Sequence, residues 1–438
     1  MPPSLSKSKL NTPAATQAER RVIMVICDSL RADLIHTETT PALARLGEAW
    51  CRYGAHRSVF PSTTRTASAS IATGCLPRAH GLFGNTIALD EGEGLKTVST
   101  GRADFRERLR AVTGRVLTRP ALAERLAGHG GAVIFSNASA GAAHVQDPDG
   151  CGHLYHRDGS HGPGFASLPE GKHLDAKKGM AGDALTTGRF VEEVVLSGRG
   201  ALGVLWLSEP DNTGHVVPLG GPAHREVLAA ADACVTRVTD AVARIDPRGD
   251  KVLVVLASDH GQETTRRLVD VNRELVEAGL KASGDSSELV AASQGTSVLF
   301  YLAEQARERL PALLSFLEGR DWAEEIFADG KLAQVGLHDS MGLAAAVSMS
   351  KSDQPNEFGV PGFGDIMFEE GGINNVGCGQ HGGNGPFEQS PFLILGGGGF
   401  PQATVRHTPS SCIDLAPTVL RHLGLPAEGM DGRPLQED

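Results

Sequence analysis

Five short, uninterrupted apolar runs recur along this chain and limit the folds that it can adopt. They occupy residues 22–27, 132–135, 202–207, 252–256 and 392–395. A run of this length without polar interruption is typical of a strand buried on both faces. Helical patterns lie between the runs, for example at 41–50 and 224–245. Strands alternating with helices predict an α/β fold with a doubly wound, mostly parallel central sheet and helices on both faces.

Charge and cysteine content narrow the class of protein. The formal net charge of -11 argues against a surface that grips nucleic-acid polymers. No stretch approaches the roughly 18 apolar residues that a membrane span needs. The seven cysteines are scattered, which indicates reduced thiols. We therefore expect a cytoplasmic protein without a membrane partner, and a homodimer is compatible with the sequence.

The rhythm of strands and helices suggests a core with one insertion. Residues 1–20 are polar and predict a flexible arm. The α/β core is expected to comprise 21–263 and 373–438, with a smaller cap domain at 264–372. Inside the cap we expect helices near 269–280 and 303–317 and a strand at 296–302. The glycine-rich stretch around 350–375 is expected to be irregular.

Candidate metal ligands follow the predicted strands. Three carboxylates come shortly after apolar runs, and three histidines accompany them: Asp28, Asp211, Asp259, His215, His260 and His381. Ligands of doubly wound sheets gather at the carboxyl ends of the strands. Each residue alone has a structural reading, as a turn former or a helix start. Together they suit two adjacent zinc ions, although such oxygen and nitrogen sites also accept manganese or iron.

A hydroxyl group at a predicted helix start completes the set. Residues 59–74 contain Pro61, a Ser/Thr cluster around Thr64, and Gly74 as a stop signal. A hydroxyl there lies at the positive end of the helix dipole, which also attracts phosphoryl oxygens. Taken alone, Thr64 reads as an ordinary N-cap.

Six motifs stand in a fixed order along the chain and carry a family resemblance. They are segments 61–68, 73–81, 209–215, 258–261, 380–382 and 413–435, and the third reads Glu209-Pro-Asp-Asn-Thr-Gly-His215. In these motifs the chain resembles the alkaline phosphatase superfamily, and most of all its nucleotide pyrophosphatase/phosphodiesterase branch. The resemblance covers nearly everything from residue 22 to about residue 432.

The resemblance implies a metal-dependent phosphoryl-transfer hydrolase with Thr64 as nucleophile. It places Asp28, Thr64, Asp259 and His260 on one zinc ion and the remaining three ligands on the other. Two in-line displacements through a phosphothreonine are implied. Asn85 and the backbone N–H after Thr64 would stabilise transition-state charge. The implied substrate is a small anionic phosphorus compound.

Two positions depart from the family pattern, and they leave the substrate open. Arg65 replaces an aromatic residue and Ser68 a histidine, so nucleotide stacking is in doubt and Arg65 is a candidate for binding an anionic substituent. One alternative is hydrolysis of a carbon–phosphorus bond, as in phosphonoacetate hydrolases, although the stretch 135–144 lacks the lysines of those enzymes. Another is a non-catalytic zinc-binding protein. The histidine-rich stretch 153–161 is expected to be a mobile substrate-facing loop, with a third metal site as the alternative.

Overall fold

The computed structural model describes residues 20–102, 104–369, 371–372 and 374–437. The predicted arm at 1–20 therefore lies almost wholly outside the described residues. The strands are, in chain order, β1 (Arg21–Cys27), β2 (Cys51–Tyr53), β3 (His56–Arg57), β4 (Thr86–Asp90), β5 (Leu95–Ser99), β6 (Ala132–Ser136), β7 (His153–Tyr155), β8 (His161–Gly162), β9 (Ala166–Ser167), β10 (Leu202–Leu207), β11 (Val252–Ala257), β12 (Glu263–Val269), β13 (Leu289–Ser293), β14 (Ser297–Leu302), β15 (Ala323–Ala328), β16 (Leu343–Met349), β17 (Lys351–Pro355), β18 (Pro361–Met367), β19 (Gly379–Gln380), β20 (Leu393–Gly397), β21 (Thr404–Arg406) and β22 (Ser410–Ser411).

The α-helices alternate with these strands through most of the chain. They are α1 (Pro41–Ala49), α2 (Thr64–Thr73), α3 (Pro77–His80), α4 (Phe105–Thr113), α5 (Leu122–Leu126), α6 (Ala140–His144), α7 (Met180–Phe190), α8 (Asp211–Gly214), α9 (Pro222–Ile245), α10 (Val271–Glu277), α11 (Leu310–Glu318) and α12 (Leu415–His422). Among the helices of the described residues, none has the length and apolar character needed to cross a bilayer. All seven cysteines are free thiols.

A ten-stranded sheet forms the centre, in the order β21-β2-β20-β11-β1-β10-β6-β7-β8-β9. Its middle strands, from β11 to β7, are parallel. The fifth apolar run forms β20, which pairs antiparallel with β11. The predicted α/β fold with a mostly parallel sheet is thus confirmed.

The side chains of β1 show why helices cover both faces of the sheet. Ile23 and Val25 point into one core, which α1, α7 and α9 complete. Val22 and Met24 point into the other core, which α2, α5 and α12 complete. Each fully buried aliphatic side chain contributes about 1.5–3 kcal/mol relative to exposure, so a strand that is apolar on both faces is stable only between two helical layers.

The segment after β11 contains more strands than the sequence predicts. The strand expected at 296–302 is present as β14, but it belongs to a four-stranded sheet in the order β13-β14-β16-β15. The stretch around 350–375 was expected to be irregular, and that prediction is wrong for β17 and β18. These strands belong to a second four-stranded sheet in the order β17-β18-β12-β19. Glycines at 359, 362 and 364 hide the alternation of apolar and polar residues on which a strand prediction depends. The domain boundaries stay a prediction.

Candidate active site

Three aspartates lie at the carboxyl edge of the parallel strands. Asp28 directly follows β1, Asp259 lies two residues beyond β11, and Asp211 begins α8 just after β10. Because these strands are neighbours in the sheet, the three loops meet above one edge. The structure thus brings together carboxylates that are separated by up to 231 residues in the chain.

Asp28 and Asp259 each have one anchored oxygen and one oxygen without a partner. The indole N–H of Trp206 donates to Asp28 Oδ2 at 3.1 Å, and the backbone N–H of Ser29 donates to Asp259 Oδ1 at 3.1 Å. Asp28 Oδ1 and Asp259 Oδ2 are buried and accept no hydrogen bond. A buried carboxylate oxygen without a donor is costly, unless a cation binds it.

The three imidazoles are held in one tautomer. Nδ1 of His215, His260 and His381 lies 3.1, 3.0 and 2.8 Å from the carbonyl oxygens of Gly379, Gly261 and Ser62, respectively. A carbonyl can only accept, so each Nδ1 carries the proton and each Nε2 has its lone pair directed at the site. A hydrogen bond from the other ring nitrogen to a fixed acceptor orients a histidine that binds a metal.

Distances divide the ligands into two overlapping groups. Asp28, Asp259 and His260 form one group, and Asp211, His260 and His381 form the other. His260 Nε2 lies 3.1 Å from Asp259 Oδ2 and 3.7 Å from Asp28 Oδ1. His215 is outside both groups, although its Nε2 lies 3.3 Å from Asp211 Oδ1. Five of the expected ligands thus form these two groups, with His260 shared between them, and His215 lies beside Asp211.

The electrostatics of the site follow from crowded, buried charges. Burial raises the pKa of Asp28 well above its usual value, and the nearby Asp259 and Asp211 add to the shift. Burial opposes charge on His260, but Asp259, Asp211 and the carbonyl of Gly261 together outweigh it and raise the pKa of the imidazole. Burial and the neighbouring His260 lower the pKa of His381 well below its usual value. Protons and divalent cations compete for such atoms, and a cation between the groups relieves the carboxylate repulsion.

Thr64 is the first residue of α2 and faces the point where the groups meet. Thr63 is the N-cap in an extended conformation, and Gly74 ends the helix in the left-handed region with φ 67°. Thr64 Oγ1 lies 3.1 Å from His260 Nε2, and the residue is 6% exposed. The small residues of α2 are almost all buried, so the helix packs closely and holds its N-terminus at the sheet edge.

Asn85 lies beside Thr64 and points its amide at a cavity. Its Oδ1 accepts a hydrogen bond from the backbone N–H of Arg65 at 3.2 Å. The resemblance led us to expect that this N–H stabilises the phosphoryl group, but Asn85 already accepts its hydrogen bond. The donor that Asn85 itself offers to the cavity is its side-chain NH₂. The cavity has a volume of about 410 Å³ and is lined by Arg65, His215 and His381 as well as by residues of β12, β13 and β18.

Sequence reasoning missed the residues that hold the loops in place. Gln294 accepts from the backbone N–H of Asn85 at 2.7 Å through its side-chain oxygen. Glu388 accepts hydrogen bonds from the hydroxyls of Ser62 and Thr296 and from the backbone N–H of Gly383. The loop that carries His381 is thereby tied to the segment that carries Thr64. Both residues lie outside the motifs, and their sequence context gives no signal of this role.

The histidine-rich stretch, expected to be a loop, contains two short strands and the turn between them. His153 and His161 belong to β7 and β8 at one edge of the central sheet. His156 has both ring nitrogens engaged, by Ala138 O and by the backbone N–H of Asp158. Among the described residues, none of these histidines belongs to a group with metal-ligand spacing.

The donor set fits divalent ions. Two buried carboxylate oxygens lack donors, and three imidazoles present Nε2 lone pairs to the same space. Zinc accepts oxygen and nitrogen ligands of these types, and so do manganese and iron. The residues present are therefore able to hold the two ions that the sequence suggests.

Comparisons with known proteins agree with this architecture. A family model described as type I phosphodiesterase / nucleotide pyrophosphatase matches residues 22–367. Two solved structures of murine ectonucleotide pyrophosphatase / phosphodiesterase 5 resemble the chain with a TM-score of 0.68 at 16% sequence identity, over 94% of this chain and 97% of that one. One of them is an inactive threonine-to-alanine variant in complex with AMP. At this identity the likeness shows the fold alone. No curated protein matches the chain significantly.

Proposed function

This chain belongs to the type I phosphodiesterase / nucleotide pyrophosphatase family, a family of phosphoric ester hydrolases, and we propose that Thr64 is its nucleophile. The family match confirms the resemblance seen in the motifs. The observation that carries the proposal is the position of Thr64 Oγ1, 3.1 Å from His260 Nε2, at a helix N-terminus between two groups of metal ligands.

The reaction is a double displacement at phosphorus. The Thr64 oxygen forms a bond to phosphorus as the bond to the leaving oxygen breaks; the hydroxyl proton is released and the leaving oxygen takes one up. Water then forms a bond to phosphorus as the bond to Thr64 breaks, which regenerates the hydroxyl. Each half-reaction leaves the number of bonds to phosphorus unchanged.

The protein supplies position and a pre-oriented hydrogen bond for these steps. The N-terminus of α2 directs its dipole at the phosphoryl group, a contribution of about 0.3–1 kcal/mol or somewhat more where water is excluded. The Asn85 NH₂ donates to a phosphoryl oxygen, since its carbonyl oxygen is already held by Arg65 N–H. The imidazole rings cannot turn away because each Nδ1 is bonded to a backbone carbonyl.

Zinc is the metal that we propose for the site. Asp28, Asp259 and His260 would hold one ion. The second ion would be held by Asp211, His215 and His381. Manganese and iron are alternatives that the same donors accept. Bound ions supply Lewis acidity, which lowers the pKa of hydroxyl groups and water and neutralises phosphoryl charge.

A panel of three substrates tests the proposed function. Zinc-loaded protein is offered bis-p-nitrophenyl phosphate, p-nitrophenyl phosphate and phosphonoacetate, and product release is followed for each. We expect the diester to be hydrolysed fastest, and mass spectrometry of acid-quenched enzyme to find a phosphoryl group on the peptide that contains Thr64. Turnover of phosphonoacetate alone would favour carbon–phosphorus cleavage, and turnover of none would favour the non-catalytic alternative.

A further inference from the structure

Arg65 is a partly buried cation with very few partners. Its Nε donates to Ser139 Oγ at 3.2 Å, and no carboxylate of the described residues lies within ion-pair distance of its guanidinium. The guanidinium lies against Gly101, because a Cβ at that position would lie 2.5 Å from Arg65 Nη2. Burial lowers the pKa of Arg65, and the more distant Asp211 and Asp28, both candidate metal ligands, only partly offset it.

Two other arginines, the buried Arg31 and the partly buried Arg21, show what an arginine with a full set of protein partners looks like. Arg31 donates to Asp33 and to the carbonyl oxygens of Gln262 and Pro361. Arg21 donates to four backbone carbonyl oxygens. Arg65 has one hydroxyl in place of these sets, so most of its five donors are left for a ligand.

The surroundings of Arg65 suggest which ligand uses these donors. Arg65 lines the cavity of about 410 Å³ next to Thr64, together with neutral amides such as Asn85 and Asn375. Phe368 is the one aromatic ring, apart from histidine, in the described lining, so a nucleobase lacks a pair of stacking surfaces. The one carboxylate in that lining, Glu369, is exposed.

Charge balance in the site points the same way. Two divalent ions would bring four positive charges to the three negative charges of the aspartates. The remaining single positive charge would be neutralised by a singly charged phosphodiester. Arg65 then remains as a second cation that is partly buried and has no carboxylate of the described residues within ion-pair distance. Burying an uncompensated charge is unfavourable, so the complete complex is expected to contain one further negative charge.

We infer that Arg65 binds a second anionic group of the substrate, and that the preferred substrates are small phosphorus esters carrying a carboxylate or a further phosphoryl group. The planar guanidinium holds such a group through two parallel hydrogen bonds. This inference rests on the proposed function, because it assigns the substrate class of the same site. It predicts discrimination against neutral alkyl or nucleoside substituents at the same phosphorus.

A matched pair of ligands tests the inference without turnover. Carboxymethyl methyl phosphate and ethyl methyl phosphate each carry one negative charge at phosphorus, share one skeleton, and differ in a carboxylate in place of a methyl group. Their binding to zinc-loaded Thr64→Val protein is measured by calorimetry. We expect the ligand with the carboxylate to bind at least tenfold more tightly, and the ratio to fall to about one when Arg65→Met is added.

Further variants separate recognition from folding and from general electrostatics. Arg65→Lys keeps the charge but not the planar fork and should retain part of the preference. Arg102→Met removes an arginine that is paired with Asp104 outside this cavity, and it should leave the ratio unchanged. Equal weakening of both ligands by Arg65→Met would overturn the inference, since Arg65 would then act on the reacting phosphoryl group or on the fold. So would an unchanged ratio.

The outcome is distinguishable from a failure of the proposed function. Selective binding that depends on Arg65, combined with an absence of ester hydrolysis by the wild-type protein, would refute the hydrolase and leave the ligand class standing. Ester hydrolysis by the wild-type protein, combined with binding that does not depend on Arg65, would support the hydrolase and refute the ligand class.

Discussion

The edge of the central sheet and the segment that follows β11 build opposite parts of one cavity from different kinds of residue. The sheet edge contributes charged and ionisable groups that are locked by buried hydrogen bonds. The segment contributes Leu268, Ile366, Met367 and Phe368 together with neutral amides. The first part is suited to bond making at phosphorus, while the second is suited to contact with whatever the phosphorus carries. The ionisable groups and the apolar wall formed by this segment thus lie on different sides of the cavity, and changes on either side should have different signatures.

Removal of metal is expected to have the largest effect, because it acts on the sheet edge as a whole. Exhaustive chelation should abolish the hydrolysis of every substrate, and added zinc should restore it. The apo protein should also melt at a lower temperature, since ions that bind only the folded state stabilise it. Full activity in protein shown by elemental analysis to be metal-free would contradict the assignment of the ligands.

Thr64→Val tests the nucleophile alone. Valine has nearly the shape of threonine without the hydroxyl, so the fold should persist while turnover falls roughly 10⁴-fold for all substrates. Thr64→Ser keeps a hydroxyl and should retain a measurable fraction of activity. Zinc content, determined in parallel, should remain at the wild-type level in both. Undiminished turnover in the valine variant would remove Thr64 from the reaction.

Glu263 lies where the two parts join and makes the stability depend on pH. Burial and the neighbouring Glu388 raise the pKa of Glu263 to about 8 from an ordinary value of 4.5. The folded state therefore holds this proton more tightly than the unfolded state, and stability falls as the pH rises from about 4.5 towards 8, by up to about 1.4 kcal/mol per pH unit.

Glu263→Gln should remove this dependence. Urea unfolding at several pH values is expected to show the variant gaining on the wild type as the pH rises from 5 to 8. An exposed glutamate, Glu318, provides the control, because Glu318→Gln should run parallel to the wild type. Parallel curves for Glu263→Gln as well would show that the buried carboxyl does not retain its proton.

Phe368→Ala tests the apolar wall of the cavity, which the segment after β11 contributes, and it should have the smallest effect on activity. Phe368 lines the cavity and is 38% exposed, so its removal should cost little stability. The kcat/KM for esters with aromatic leaving groups should fall about three- to tenfold, while that for alkyl esters should change less than twofold. Phe358 is equally exposed but lies outside this cavity, and Phe358→Ala should leave both unchanged. An equal loss on both classes of ester would break the division between chemistry and selection.

The positions of the residues at the sheet edge can be predicted from the sequence, whereas those of the apolar wall of the cavity cannot, and the reasons are physical. Asp28 and Asp259 follow continuous apolar runs, and the position of a strand end is fixed by the hydrophobic pattern alone. Met367 ends β18 and Phe368 follows it, and the glycines and polar residues of this strand mask its pattern. The role of Glu388 depends on contacts with Ser62 and Thr296 that are 326 and 92 residues away, and no local pattern encodes them.

Trp206 gives this protein a built-in optical signal. Its indole N–H is bonded to Asp28, so the emission of this ring should respond when the charge on that carboxylate is compensated. With Trp50 and Trp322 replaced by phenylalanine, fluorescence would come from this one ring. Occupancy could then be followed in real time, with no substrate present and no label attached.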